Sequence, residues 1–137
     1  MGEVVDEARA QDWLDGYSRA WESYDPAAIG DLFSEDAEYR WHPWDEDPDV
    51  ARGRQAIVEA WLKSRDKPGT YTGEYRPLVV HGDTVVAVGV SRYYTDATRR
   101  TLDREYHNLW IVEFDGASRC RSFTEWYMKS PKQRRKG

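Results

Sequence analysis

Cysteine is almost absent from this chain: Cys120 stands alone. A single thiol excludes an intramolecular disulfide and any metal cluster built on cysteines. Histidine is also scarce. His42, His81 and His107 are dispersed, and the acidic run Asp45-Glu46-Asp47-Pro48-Asp49 lacks the glycine and ligand spacing of a calcium loop. No apolar run approaches the roughly 20 residues of a membrane-spanning helix. The opening segment, MGEVVDEARA, has no apolar stretch for a secretory leader, and Asp6 stands where a myristoylation site carries Ser or Thr. A glycine-rich phosphate loop and a nucleophile elbow are both missing. These absences point to a cytoplasmic protein with no metal, no cofactor and no membrane partner.

What is present is charge and aromatic surface. Net charge is −5, yet Lys129, Lys132, Arg134, Arg135 and Lys136 crowd the C-terminal end. The rest of the chain is therefore more acidic than the total, which argues against nucleic acid as a partner. The basic tail, residues 131–137, is read as a solvated extension of one domain over residues 1–130. Seven Trp, nine Tyr and three Phe in 137 residues are unusual for so small a domain. Such rings either fill a core or line a concave pocket, and their polar tips need partners when buried.

Leu14, Tyr17, Trp21 and Tyr24 recur at helical spacing, with Trp13 and Ala20 widening the stripe. Asp25-Pro26 then caps and opens a short second helix carrying Ile29, Leu32 and Phe33. Ser34-Glu35-Asp36 reads as a turn, Ala37–Trp41 as a strand and 42–53 as a loop. A third helix begins near Gly53, with Ala56, Ile57, Ala60 and Trp61 on one face, and ends before Pro68-Gly69. Strands are predicted over Gly73–Val80, Thr84–Thr95, Arg100–Phe114 and Arg119–Met128. Helices followed by a strand meander indicate an α+β fold.

Four segments together resemble the nuclear transport factor 2-like superfamily, in its SnoaL-like and ketosteroid isomerase-like branches, over about residues 8–130. They are the Tyr17 helix running into Asp25-Pro26, Leu32-Phe33-Ser34-Glu35-Asp36-Ala37, Gly53-Arg54-Gln55-Ala56-Ile57 with Trp61, and Phe123-Thr124-Glu125-Trp126-Tyr127. The resemblance implies a cone: three N-terminal helices packed on a curved, mostly antiparallel sheet. Set against ketosteroid isomerase, Tyr17 matches the oxyanion tyrosine. Trp41 or His42 falls where the proton-moving Asp stands, and Trp110 where the protonated Asp stands. Those departures argue against steroid isomerisation by the known mechanism.

If Phe114 faces Arg119 across the last turn, Asn108 lies opposite Glu125 and Tyr106 opposite Tyr127. By the resemblance, that face is the concave one. The candidate catalytic residues are then Glu125 as acid or base, Tyr17 and Asn108 as oxygen-positioning groups, and His42 as a second base at the mouth. Tyr39, Trp41, Tyr106, Trp110 and Tyr127 would grip an apolar ligand. For Glu125 and Tyr17 the alternative is a satisfied core residue; for His42 it is a loop contact. The leading expectation is a cofactor-independent isomerase, cyclase or dehydratase acting on a small hydrophobic carbonyl compound. The alternative is a non-catalytic ligand-binding or dimerisation module, its pocket plugged by Trp41 and Trp110. On the opposite face, Leu109, Ile111, Trp126 and Met128, joined by Cys120, suggest a homodimer surface.

Overall fold

The structure is a computed structural model describing residues 5–116 and 118–131. Most of the expected tail, from residue 132 onward, lies outside the described residues.

Helix α1 (Glu7–Ser23) starts where the Asp6 carboxylate accepts the Arg9 N–H at 2.8 Å, a side-chain cap that satisfies one orphan donor. Its stripe of Trp13, Leu14, Tyr17, Ala20 and Trp21 is buried. The helix stops at Tyr24, whose left-handed backbone (φ 52°) returns its N–H to the Ala20 carbonyl. Helix α2 (Pro26–Gly30) is capped by Asp25 with Pro26 in its first turn, as the dipeptide predicts. It is shorter than expected. Leu32 and Phe33 leave it, and Phe33 opens strand β1 (Phe33–Arg40).

The predicted turn at Ser34-Glu35-Asp36 is instead part of β1. Phe33 pairs with Cys120 and Glu38 with Ser122, so the intervening residues bulge out of the ladder rather than reverse the chain. The predicted loop hides a two-residue strand, β2 (Ala51–Arg52), paired with β1. Helix α3 (Arg54–Lys63) follows, so two strands precede the third helix; it buries Ile57, Val58 and Trp61. Strands β3 (Tyr71–His81), β4 (Thr84–Tyr94), β5 (Leu102–Phe114) and β6 (Cys120–Lys129) complete one six-stranded sheet in the order β2-β1-β6-β5-β4-β3. Only the β1–β6 pair is parallel.

The last hairpin differs in register from the expectation. Asp115 donates its N–H to the Arg119 carbonyl, and Phe114 lies opposite Cys120. Glu113 then faces Ser122, which leaves Arg121 as the extra residue of a bulge. Beyond it Trp110 faces Glu125 and Asn108 faces Tyr127. The turn and the bulge each shift the pairing by one residue, and two shifts restore the predicted faces because side chains alternate with period two. Asn108 and Glu125 become diagonal neighbours, still within reach of each other. Cys120 lies on the other side of the bulge. It is fully buried beside Phe33 and Phe114, not on the outer face where it was expected.

Between α1 and the inner sheet face, Trp13, Phe33, Phe114 and Phe123 form a continuous aromatic core with edge-on and tilted contacts. The Trp13 indole is satisfied by the Leu32 carbonyl at 2.9 Å.

Candidate functional site

Past this packed end, the inner face encloses a cavity of about 210 Å³. Tyr17 and Trp21 from α1, Tyr39 from β1, and the loop residues Trp41 and His42 form one side of its wall. Tyr106, Asn108 and Trp110 from β5, with Glu125 and Tyr127 from β6, form the other. The nine sequence-predicted site residues are therefore gathered around one space. Trp110, 2% exposed, and the half-buried Trp41 both line the cavity, so they narrow it while a volume of about 210 Å³ remains.

Glu125 sits among these rings. Burial pushes its carboxyl above the usual glutamate range, while the Trp110 indole, the Asn108 amide and the His42 ring act in the opposite direction. The Asn108 amide donates to its Oε2. The Trp110 N–H, although near enough to influence it, forms no hydrogen bond of full geometry.

Behind Asn108 runs a chain of hydroxyls that sequence reasoning missed. Ser91 Oγ donates to Asn108 Oδ1 at 2.9 Å, Tyr75 meets Ser91 at 2.5 Å, and Tyr71 meets Tyr75 at 2.6 Å. Each hydroxyl has one proton, which fixes the direction. Ser91 uses its proton on Asn108 and so accepts from Tyr75; Tyr75 in turn accepts from Tyr71. A flipped Asn108 amide would set its oxygen against a carboxylate. The whole chain thus points its donors toward Glu125. Two glycines make room for it. A Cβ at Gly73 would lie 2.1 Å from the Tyr71 hydroxyl, and one at Gly89 would lie 2.2 Å from the Glu74 carbonyl oxygen.

Tyr17 and Tyr39 share one hydrogen bond, 2.8 Å between hydroxyls, and burial holds both far above the usual tyrosine range. Two neutral hydroxyls joined by one bond keep one proton spare for another acceptor.

At the mouth, His42 is held by an unpredicted partner. Asp45 Oδ2 accepts the backbone N–H groups of Trp41 and His42 at 3.1 Å each, and its Oδ1 lies 3.2 Å from His42 Nδ1. A neutral ring that donates from Nδ1 to this carboxylate leaves Nε2 as an acceptor, 3.2 Å from the Tyr127 hydroxyl. Trp44 stacks on the same ring at 4.9 Å. Among the described residues, no three His, Cys, Asp or Glu side chains group in a way that could hold a metal ion. No helix among them is long and apolar enough to cross a membrane.

The profile of the SnoaL-like domain matches residues 14–128. A search of curated proteins found no match. Among solved structures, a cystatin-like fold protein of unknown function from Methylobium petroleophilum PM1 superposes with TM-score 0.67 at 18% identity, covering 96% of this chain and 82% of that one. An epoxide hydrolase/cyclase-like enzyme described for pyran ring formation in salinomycin gives TM-score 0.67 at 18% identity, with 90% and 93% covered. An epoxide hydrolase from M. tuberculosis resembling the LEH type gives 0.63 at 12%, with 89% and 84% covered. At such identities these likenesses show the fold alone.

Proposed function

Because the chain belongs to the SnoaL-like domain family, with its inner sheet face enclosing a titratable cavity, we propose that it is a cofactor-independent proton-transfer enzyme acting on a small carbonyl compound. The observation that carries this reading is Glu125, raised by burial and gripped by Asn108 at the wall of an aromatic cavity. A carboxyl tuned upward takes a proton from carbon and returns it near neutral pH. In this reading Glu125 removes a proton from the carbon next to the carbonyl. The Tyr17–Tyr39 pair gives its spare hydrogen bond to the developing oxyanion. His42, oriented by Asp45, serves as the second acid or base at the mouth of the cone. The cavity is smaller than the roughly 300–1,000 Å³ of pockets for drug-sized ligands, so the substrate is small. Two neighbours of this fold are described as an epoxide hydrolase and an epoxide hydrolase/cyclase-like enzyme, so the fold itself is compatible with catalysis.

The test is exchange of α-hydrogens for deuterium in small cyclic and acyclic ketones, followed by proton NMR in heavy water. Exchange above the buffer rate that falls by about 10²–10⁴-fold in Glu125→Gln is the expected result. No exchange beyond buffer with any ketone, or exchange unaffected by Glu125→Gln, overturns the assignment and leaves ligand binding without turnover.

We also propose that the protein is cytoplasmic and pairs through the outer sheet face. There Trp126 is 40% and Met128 76% exposed, beside the half-buried Leu109 and Ile111. Sedimentation of the native chain as a monomer at micromolar concentration would refute the pairing.

A further inference from the structure

We infer that the ligand of this cavity carries a positive charge, as a protonated or quaternary amine, an inference that rests on the cavity being the ligand site but not on turnover there. The accessible rim is an aromatic box. Tyr93 meets Tyr106 at 6.0 Å and 79°, and Tyr106 meets Tyr127 at 5.4 Å and 86°. Successive rings nearly at right angles make adjoining walls rather than one stacked layer. Trp41, packed at 4.5 Å against Tyr39, also lines the space. Ring faces carry partial negative charge and attract cations, Trp and Tyr most strongly. Tyr93 already shows this preference, with the Arg104 guanidinium 4.2 Å over its ring.

The charge of the lining has the same sign. Glu125 is the one carboxylate there, and neither Lys nor Arg lines the cavity. Arg104 does not change this balance, since Asp66 at 3.3 Å and Asp103 at 3.2 Å pair with it. His42 faces its own carboxylate, Asp45. Glu125 therefore sits beside aromatic walls with donors behind it and neither Lys nor Arg in front. An ammonium group with an apolar shell complements each of these features, and a neutral ligand of the same shape complements only the walls.

Choline and 3,3-dimethylbutan-1-ol have the same shape and differ in charge, which makes them the probes. Titration of the full chain by calorimetry, with indole N–H shifts of Trp41 and Trp110 locating the site, should give choline binding at least about tenfold tighter. That ratio corresponds to a desolvated cation–π contact and the carboxylate together. Glu125→Gln, which retains shape, should lower the choline preference by the carboxylate's share and leave the share of the aromatic walls. Equal affinities in the native chain, or a choline preference undiminished by Glu125→Gln, overturn the inference and leave the cavity reading intact. If neither probe shifts the two indoles, the cavity reading falls and the inference with it.

Discussion

The same two strands build two unlike ends of this molecule. Toward their joining turn, β5 and β6 present Val112, Phe114 and Phe123, which are buried in an aromatic core with Trp13 and Phe33 and with no carboxyl among them. Two to six residues along the same face stand Asn108, Tyr106, Glu125 and Tyr127, where hydroxyls, an amide and a carboxyl converge on a cavity. Trp110 is the boundary: its ring packs on Phe123 at 5.1 Å, and its indole N–H lies near Glu125. The packed end supplies rigidity and stability. The cavity end holds a carboxyl in surroundings that disfavour its charge, an arrangement natural proteins accept where chemistry or binding needs it.

Damage to the packed end should be the most severe. Phe123→Ala removes a fully buried ring touching Trp13, Tyr17, Tyr39 and Trp110. A loss of about 3–5 kcal/mol in chemical denaturation is expected. A loss under about 1 kcal/mol would mean that this end is not the core.

Gly89→Ala tests the boundary between stability and site. Its Cβ would meet the Glu74 carbonyl oxygen at 2.2 Å and Tyr75 Cδ1 at 2.3 Å, so the β3–β4 pair must part locally. About 1–3 kcal/mol of destabilisation is expected, together with movement of Tyr75 away from Ser91. Retention of full stability and of the native Asn108 side-chain amide signals would show that the hydroxyl chain does not depend on this space.

These two positions also show what the amino-acid pattern could and could not reveal. The α1 stripe was legible because five buried residues repeat at helical spacing. The faces of β5 and β6 were legible because period-two alternation survives an even register shift, although the pairing of Asn108 with Glu125 was off by two residues. The bulge at Arg121 was not, since nothing in Cys120-Arg121-Ser122 marks a residue that drops out of pairing. Cys120 was consequently placed on the wrong face. Asp45 was missed because loops have no period, and its role depends on folding back onto the backbone of Trp41 and His42. Tyr71, Tyr75 and Ser91 were missed for want of a β3–β4 register. The signal was there, in Tyr71-Thr72-Gly73-Glu74-Tyr75 facing a strand with its own glycine at Gly89.

Glu125→Gln should have the smallest effect on stability, and one of opposite sign. A carboxyl raised in the folded state contributes stability below its unfolded value, about 4.3, and that contribution is lost as pH rises through the folded value. Gln does not titrate. The variant should therefore match the native chain near pH 4 and be the more stable of the two at pH 8, as read by melting temperature across that range. A variant less stable than the native chain at pH 8 would mean that Glu125 is stabilised as a charge.

The titration of Glu125 itself, followed by its side-chain carboxyl resonance in ¹³C-labelled protein, tests the contrast between the two ends most directly. The account predicts a midpoint above about 4.3, the ordinary glutamate value, rising further in Asn108→Leu, which removes the amide that holds the charged form. A midpoint at or below the ordinary value, unmoved by Asn108→Leu, would contradict it.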